Sequence, residues 1–124
     1  MRDNWMDMYR RQRRHWWHEA PTYTIQEPIE VHNALCLHLI GEVTEVLSCM
    51  PWKLHRKNRA SSRRHLLEEL IDVQKFLMCL MVHHGFTAED VVEMFHIKSS
   101  IVEKRAQRER KRDARNYRAS KTCK

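Results

Sequence analysis

Residues 66–85 read LLEELIDVQKFLMCLMVHHG, and this stretch decides the fold. Leu66, Leu70, Val73, Leu77 and Leu80 recur every three or four positions, the period of one helix face and not of a strand. From Phe76 to Val82 the run is apolar on nearly every side, as expected of a central helix. Gly85 suits the left-handed position that closes a helix. Two acids interrupt this pattern. Glu69 and Asp72 are three apart and fall in line with Phe76, Cys79 and His83, residues that prefer burial.

Working outward, the spacing predicts further helices and no strand. Upstream, Pro28 fits a first helical turn and Pro51 forbids continuation, so a second helix runs from there to Cys49 or Met50. Its expected buried face is Cys36, Ile40, Val43, Leu47 and Met50. Within it, GEVTEVL (residues 41–47) places Glu42 and Glu45 three apart, in line with His38 and Cys49. Gly41 disfavours helix, and its expected use is to let a neighbouring helix or ligand approach closely. A first helix covers NWMDMYRRQRRHWWHEA (residues 4–20), and an extended linker lies between Pro21 and Pro28. Ser61 or Ser62 can cap the third helix. Thr87, with Asp90 three residues on, opens a fourth, whose stripe Val91, Met94, Phe95, Lys98, Ile101, Val102 and Arg105 puts two cations where core is expected.

With 124 residues, 2 Gly and 3 Pro, the chain reads as a single all-α domain over 1–124, a bundle of four to five helices. Helices this apolar in so short a chain imply an oligomer, a homodimer or homotetramer. Residues 106–124 read as a frayed or solvated basic tail: from Arg105 onward nine Lys and Arg face only Glu109 and Asp113. The net charge of +7 implies an anionic partner, whether nucleotide, nucleic acid or another acidic surface. No apolar run is long enough to span a membrane. Four scattered cysteines without a C-x-x-C pair fit a reducing cytoplasm.

Two acidic pairs on two apolar helices, packed antiparallel, would bring four carboxylates into a small volume. Such a cluster is repulsive unless neutralised, and Mg²⁺, which takes carboxylate, water and phosphate oxygens, neutralises it. Four acids suit two or more ions. The plain alternative is that E-x-x-E and E-E-x-x-D are solvated helix faces, and that Lys98 and Arg105 snorkel to water.

GEVTEVL, then LLEELIDVQKFL, then HIKSSIVEKRAQRE resemble the all-α nucleoside triphosphate pyrophosphohydrolases, the MazG-like superfamily, with its E-x-x-E followed by E-x-x-D. MPWKLHRK and GFTAEDVVEMFHIK are similar to segments of the dimeric all-α dUTPase branch. The resemblance spans about residues 33–108. It implies hydrolysis of a deoxynucleoside triphosphate to the monophosphate and pyrophosphate, with water activated by the ions as nucleophile. It makes Glu42, Glu45, Glu69 and Asp72 the Mg²⁺ ligands, with Mn²⁺ able to substitute, and lets Glu68 help to accept the proton. Lys53, Lys98 and Arg105 become phosphate contacts. Trp52 is a candidate for stacking on the base or else a packing plug, and His38 either touches the nucleotide or is structural. Ser99, Ser100 and Val102 stand where the dUTPase branch has asparagines, so the base is open: dUTP or dCTP, or dGTP or dATP as in phage MazZ-type relatives. The rival reading is a non-enzymatic basic helical protein that binds nucleic acid. In the enzyme reading nucleic acid is not the expected partner.

Overall fold

The computed structural model describes residues 4–19, 28–55 and 59–123, with residues 17–19 described by their backbone alone. Among these residues there are four helices and no strand: α1 (Trp5–Glu19), α2 (Pro28–Ser48), α3 (Arg63–His83) and α4 (Ala88–Thr122). The expected all-α architecture is present. The linker expected at 21–27 lies outside the described residues.

Local chemistry sets the helix ends. Asn4 accepts from the Asp7 amide at 3.0 Å and Asp7 Oδ2 accepts from the Asn4 amide at 3.4 Å, a reciprocal cap at the start of α1. Ser62 is the N-cap of α3, its hydroxyl accepting from the His65 amide at 3.1 Å. Beyond α3, Gly85 takes φ 78°, the left-handed conformation that glycine adopts without a Cβ clash.

The chain divides into two compact units, Met1–Thr87 and Ala88–Lys124. In the first, α3 is the shared partner, packing against both α2 and α1. Pro28 meets His83, His32 meets His84, His38 stacks on Phe76, and Cys49 meets Ser61. Position numbers rise along α2 as they fall along α3, so the two helices are antiparallel. On the other side of α3, Tyr9 and Gln12 face inward: the Tyr9 hydroxyl donates to the Phe86 carbonyl at 2.7 Å, and the Gln12 amide donates to Cys79 Sγ at 3.1 Å. Trp5 stacks on Tyr9 with ring centroids 5.2 Å apart. The core of this unit is Tyr9, Trp16, Val31, Leu35, Cys49, Met78, Cys79 and Val82.

That core corrects the expected faces. On α2, Ile40, Val43, Leu47 and Met50 are exposed and Cys36 is half-buried; the inner face is Val31, Leu35, Leu39, Glu42, Val46 and Cys49. Both sets have helical spacing and both are mostly apolar, so the packing partner and not the pattern distinguishes them. On α3, Leu70 and Leu77 are likewise exposed, and Met78, Cys79 and Val82 carry the burial. Gly41 makes no close approach either: a Cβ built there meets nothing within 4 Å.

The second unit is α4. Its basic end is not frayed, because the helix continues to Thr122, with every residue from 107 to 123 exposed. Met94, Phe95, Ile101 and Val102 are exposed as well. No helix among the described residues is long and apolar enough to cross a membrane.

The inner face of α2 gives a direct test by chemical denaturation. Leu35→Ala removes a fully buried side chain and is expected to cost about 2–5 kcal/mol. Tyr9→Phe removes the donor to the Phe86 carbonyl and is expected to cost about 1 kcal/mol.

Candidate functional site

The antiparallel pairing carries Glu42 of α2 to the level of Glu69 and Asp72 of α3. One oxygen from each of the three carboxylates lies within 4.8 Å of the others. Glu42 and Glu69 are half-buried and Asp72 is exposed, so the cluster opens to solvent on one side. Partial burial, then the charges of Asp72, Glu69 and Glu45, push the Glu42 carboxyl above the ordinary glutamate range, while His38 opposes the shift.

Three of the four expected ligands are therefore brought together. Glu45, one turn further along α2, is exposed and adds its charge to the field at Glu42 without joining the cluster. Glu68 is turned to its own helix: Arg64 Nε lies 3.2 Å from one of its oxygens and His65 Nδ1 3.9 Å from the other. His38 is exposed and stacked on Phe76, with ring centroids 5.2 Å apart. Trp52 is half exposed, and Lys53 Nζ sits 5.0 Å above its ring. Lys98 and Arg105 are exposed on α4, in the other unit.

Sequence reasoning missed several groups around the carboxylates. His65 Nε2 lies 3.4 Å from Glu69 Oε1, whose side chain is only 17% exposed, so it braces a cluster carboxylate. The i, i+4 spacing of His65 and Glu69 was the available signal. Lys75, one turn beyond Asp72 and Ile71, lines two neighbouring cavities. One, about 390 Å³, is bounded by Arg64, Leu67, Glu68, Ile71, Asp72 and Lys75. The other, about 440 Å³, lies between α1 and α3 and adds Arg11, Gln12, His15 and Gln74 to the walls. Nothing in the sequence sets which α1 residues face α3 at that point, so these positions were not legible.

The donor set fits a divalent cation. Three carboxylates offer only hard oxygen atoms; burial first and then their mutual repulsion raise the Glu42 pKa, and a cation relieves the repulsion.

The raised pKa has a sign that can be checked in metal-free protein. Folded Glu42 holds its proton to higher pH than unfolded Glu42, so its ionisation costs folding stability as pH rises above the ordinary value of 4.5. Thermal melts in chelator are expected to show Glu42→Gln raising Tm at neutral pH, with the gain vanishing once the pH falls below that value.

A family model described as dUTPase matches residues 8–121. No curated protein and no solved structure matches the chain. The matched span begins within α1, contains all of α2 and α3, with the three clustered carboxylates, and reaches the last turn of α4. On that match and its all-helical architecture, the chain belongs to the all-α dUTPase family.

Proposed function

We propose that the chain is a Mg²⁺-dependent pyrophosphohydrolase that converts a deoxynucleoside triphosphate to the monophosphate and pyrophosphate, shaping the nucleotide pool. The observation that carries this reading is the convergence of Glu42, Glu69 and Asp72 from two antiparallel helices. Solvated surface acids repel and spread apart; here two half-buried glutamates and one exposed aspartate are held together by the packing of two helices.

In this reading Glu42, Glu69 and Asp72 hold the metal, and exposed Glu45 is available to a second ion. A divalent ion held there would supply charge neutralisation for the phosphates and a lowered pKa for water. The protein's own side chains do the rest. His65 holds the Glu69 carboxylate in place from 3.4 Å. Lys75 and Arg64 present cations beside Asp72 in the smaller cavity, where a triphosphate's remaining charge is balanced. The adjoining cavity supplies the amides of Gln12 and Gln74 for hydrogen bonds to a base and the apolar surfaces of Met8, Ile71 and Met78 against its face. Glu68, paired with Arg64, anchors that arginine rather than accepting a proton. The family points to dUTP as the first substrate to test, and Ser99, Ser100 and Val102 in place of asparagines keep dCTP, dGTP and dATP in the panel.

Self-association belongs to the same proposal. Ile40, Val43 and Leu47 on α2 leave an apolar stripe uncovered, as do Met94, Phe95 and Val102 on α4. Exposed apolar stripes of this kind mark interfaces. Sedimentation is expected to give a homodimer or homotetramer, and a monomer at every concentration contradicts this part of the reading.

The activity is tested by pyrophosphate release from dUTP, dCTP, dGTP, dATP and the ribonucleotides with Mg²⁺ or Mn²⁺. One deoxynucleotide class is expected to dominate. Glu42→Gln, Glu69→Gln and Asp72→Asn should each lower kcat/KM by at least roughly 100-fold, beyond what loss of a metal's outer partner costs. Glu68→Gln should have a smaller effect. Unchanged hydrolysis in the three cluster variants overturns the proposal.

A further inference from the structure

In a frayed tail the charges at the basic end of the chain would have no fixed arrangement. As the end of α4 they do, because an α-helix turns about 100° per residue. Lys104, Arg105, Arg108, Lys111, Arg112, Arg115 and Arg118 then fall within one face about 140° wide. All three nearby acids, Glu103, Glu109 and Asp113, fall outside it. Among the described residues none of these seven cations is in an ion pair. The face is about 21 Å long from Lys104 to Arg118, and all of its cations are exposed.

We propose that this face of α4, led by Arg108, Lys111, Arg112, Arg115 and Arg118, docks on the phosphate backbone of duplex DNA. Charge complementarity identifies the occupant class. An acid-free row of cations repeating at three and four residues presents charge along a line, as a polyanion's backbone does. An anionic membrane fits less well, because a helix lying on lipid needs an apolar stripe opposite its cations. Here the opposite side carries Glu109, Arg110, Asp113 and Ser120 with only Ala106 and Tyr117 between them. A duplex with a major groove about 12 Å wide admits a single helix, whereas the deep, narrow groove of A-form RNA does not. Because residues 107–123 are exposed on every side, no packed element bars that end from a groove. The contact reads backbone and not sequence, since the face is almost all Arg and Lys.

The test uses the full chain and a labelled duplex of about 20 base pairs, longer than the face at about 3.4 Å per pair. Anisotropy titrations across a salt series compare two charge-matched double variants. Arg108→Gln with Arg115→Gln removes two cations from the face; Arg110→Gln with Lys121→Gln removes two from outside it. Glutamine keeps helix propensity, and far-UV circular dichroism checks that helicity is retained. The face variant is expected to lose about tenfold or more in affinity, and the slope of log K against log salt to fall by about 2. The off-face variant should lose much less. Equal losses in both variants, meaning that only net charge matters, overturn the proposal. So does an absence of duplex binding by the unsubstituted chain at low salt, or binding to phosphatidylserine vesicles in its place. Nucleotide hydrolysis is measured on the same samples and is expected to be unaffected, so that failure here leaves the hydrolase reading standing.

Discussion

The structure turns on one electrostatic conflict. Three carboxylates from two helices are held with oxygens inside 4.8 Å of one another, on a helix pair whose other inward residues are apolar. Antiparallel packing of α2 on α3 forces this arrangement: once Leu35 is buried on the inner face of α2, the helical repeat brings Glu42 round to that face two turns later. The raised pKa of Glu42 records the unfavourable side of the arrangement. His38, on the same helix as Glu42, opposes that shift.

The surroundings follow from the same pairing. With one side of α3 committed to α2, another side takes α1, and the gap between those two helices leaves a cavity walled by amides, cations and methionine. Lys75 borders both this cavity and the one at Asp72, which joins a cation-lined recess to the acidic cluster along a single helix. In the proposed function a nucleoside triphosphate meets both environments, its phosphates against metal and cations and its base in a partly apolar slot.

Helix existence and limits were legible because they depend on local chemistry. Pro28 and Gly85 mark ends by backbone geometry and Ser62, one of the two serines expected to cap α3, by its hydroxyl. Glu42, Glu69 and Asp72 were legible because acidic pairs on two helices this apolar set charge against burial, a conflict visible in the spacing alone. Which face of α2 turns inward was not legible. The stripe through Ile40 is wholly apolar while the one through Leu35 carries Glu42, so apolarity alone favours the wrong face and only contact with α3 selects the other. Lys75 was not legible because the larger cavity it borders depends on which α1 residues stand opposite it, whereas His65 is marked in the sequence by its i, i+4 spacing to Glu69. The basic end differs from expectation for another reason. It has few apolar residues, which suggests fraying, but it also lacks Gly and Pro and is rich in Ala, Arg and Lys, all good helix formers.

The central claim is that Glu42, Glu69 and Asp72 form one metal site, and counting bound Mn²⁺ tests it most directly. Electron paramagnetic resonance of free Mn²⁺, titrated against the metal-free protein without nucleotide, reads occupancy independently of turnover. Saturable binding is expected, weakening sharply in Glu42→Gln, Glu69→Gln and Asp72→Asn alike and persisting in Glu68→Gln. Mn²⁺ binding that survives substitution of any one of the three cluster carboxylates undiminished would contradict it.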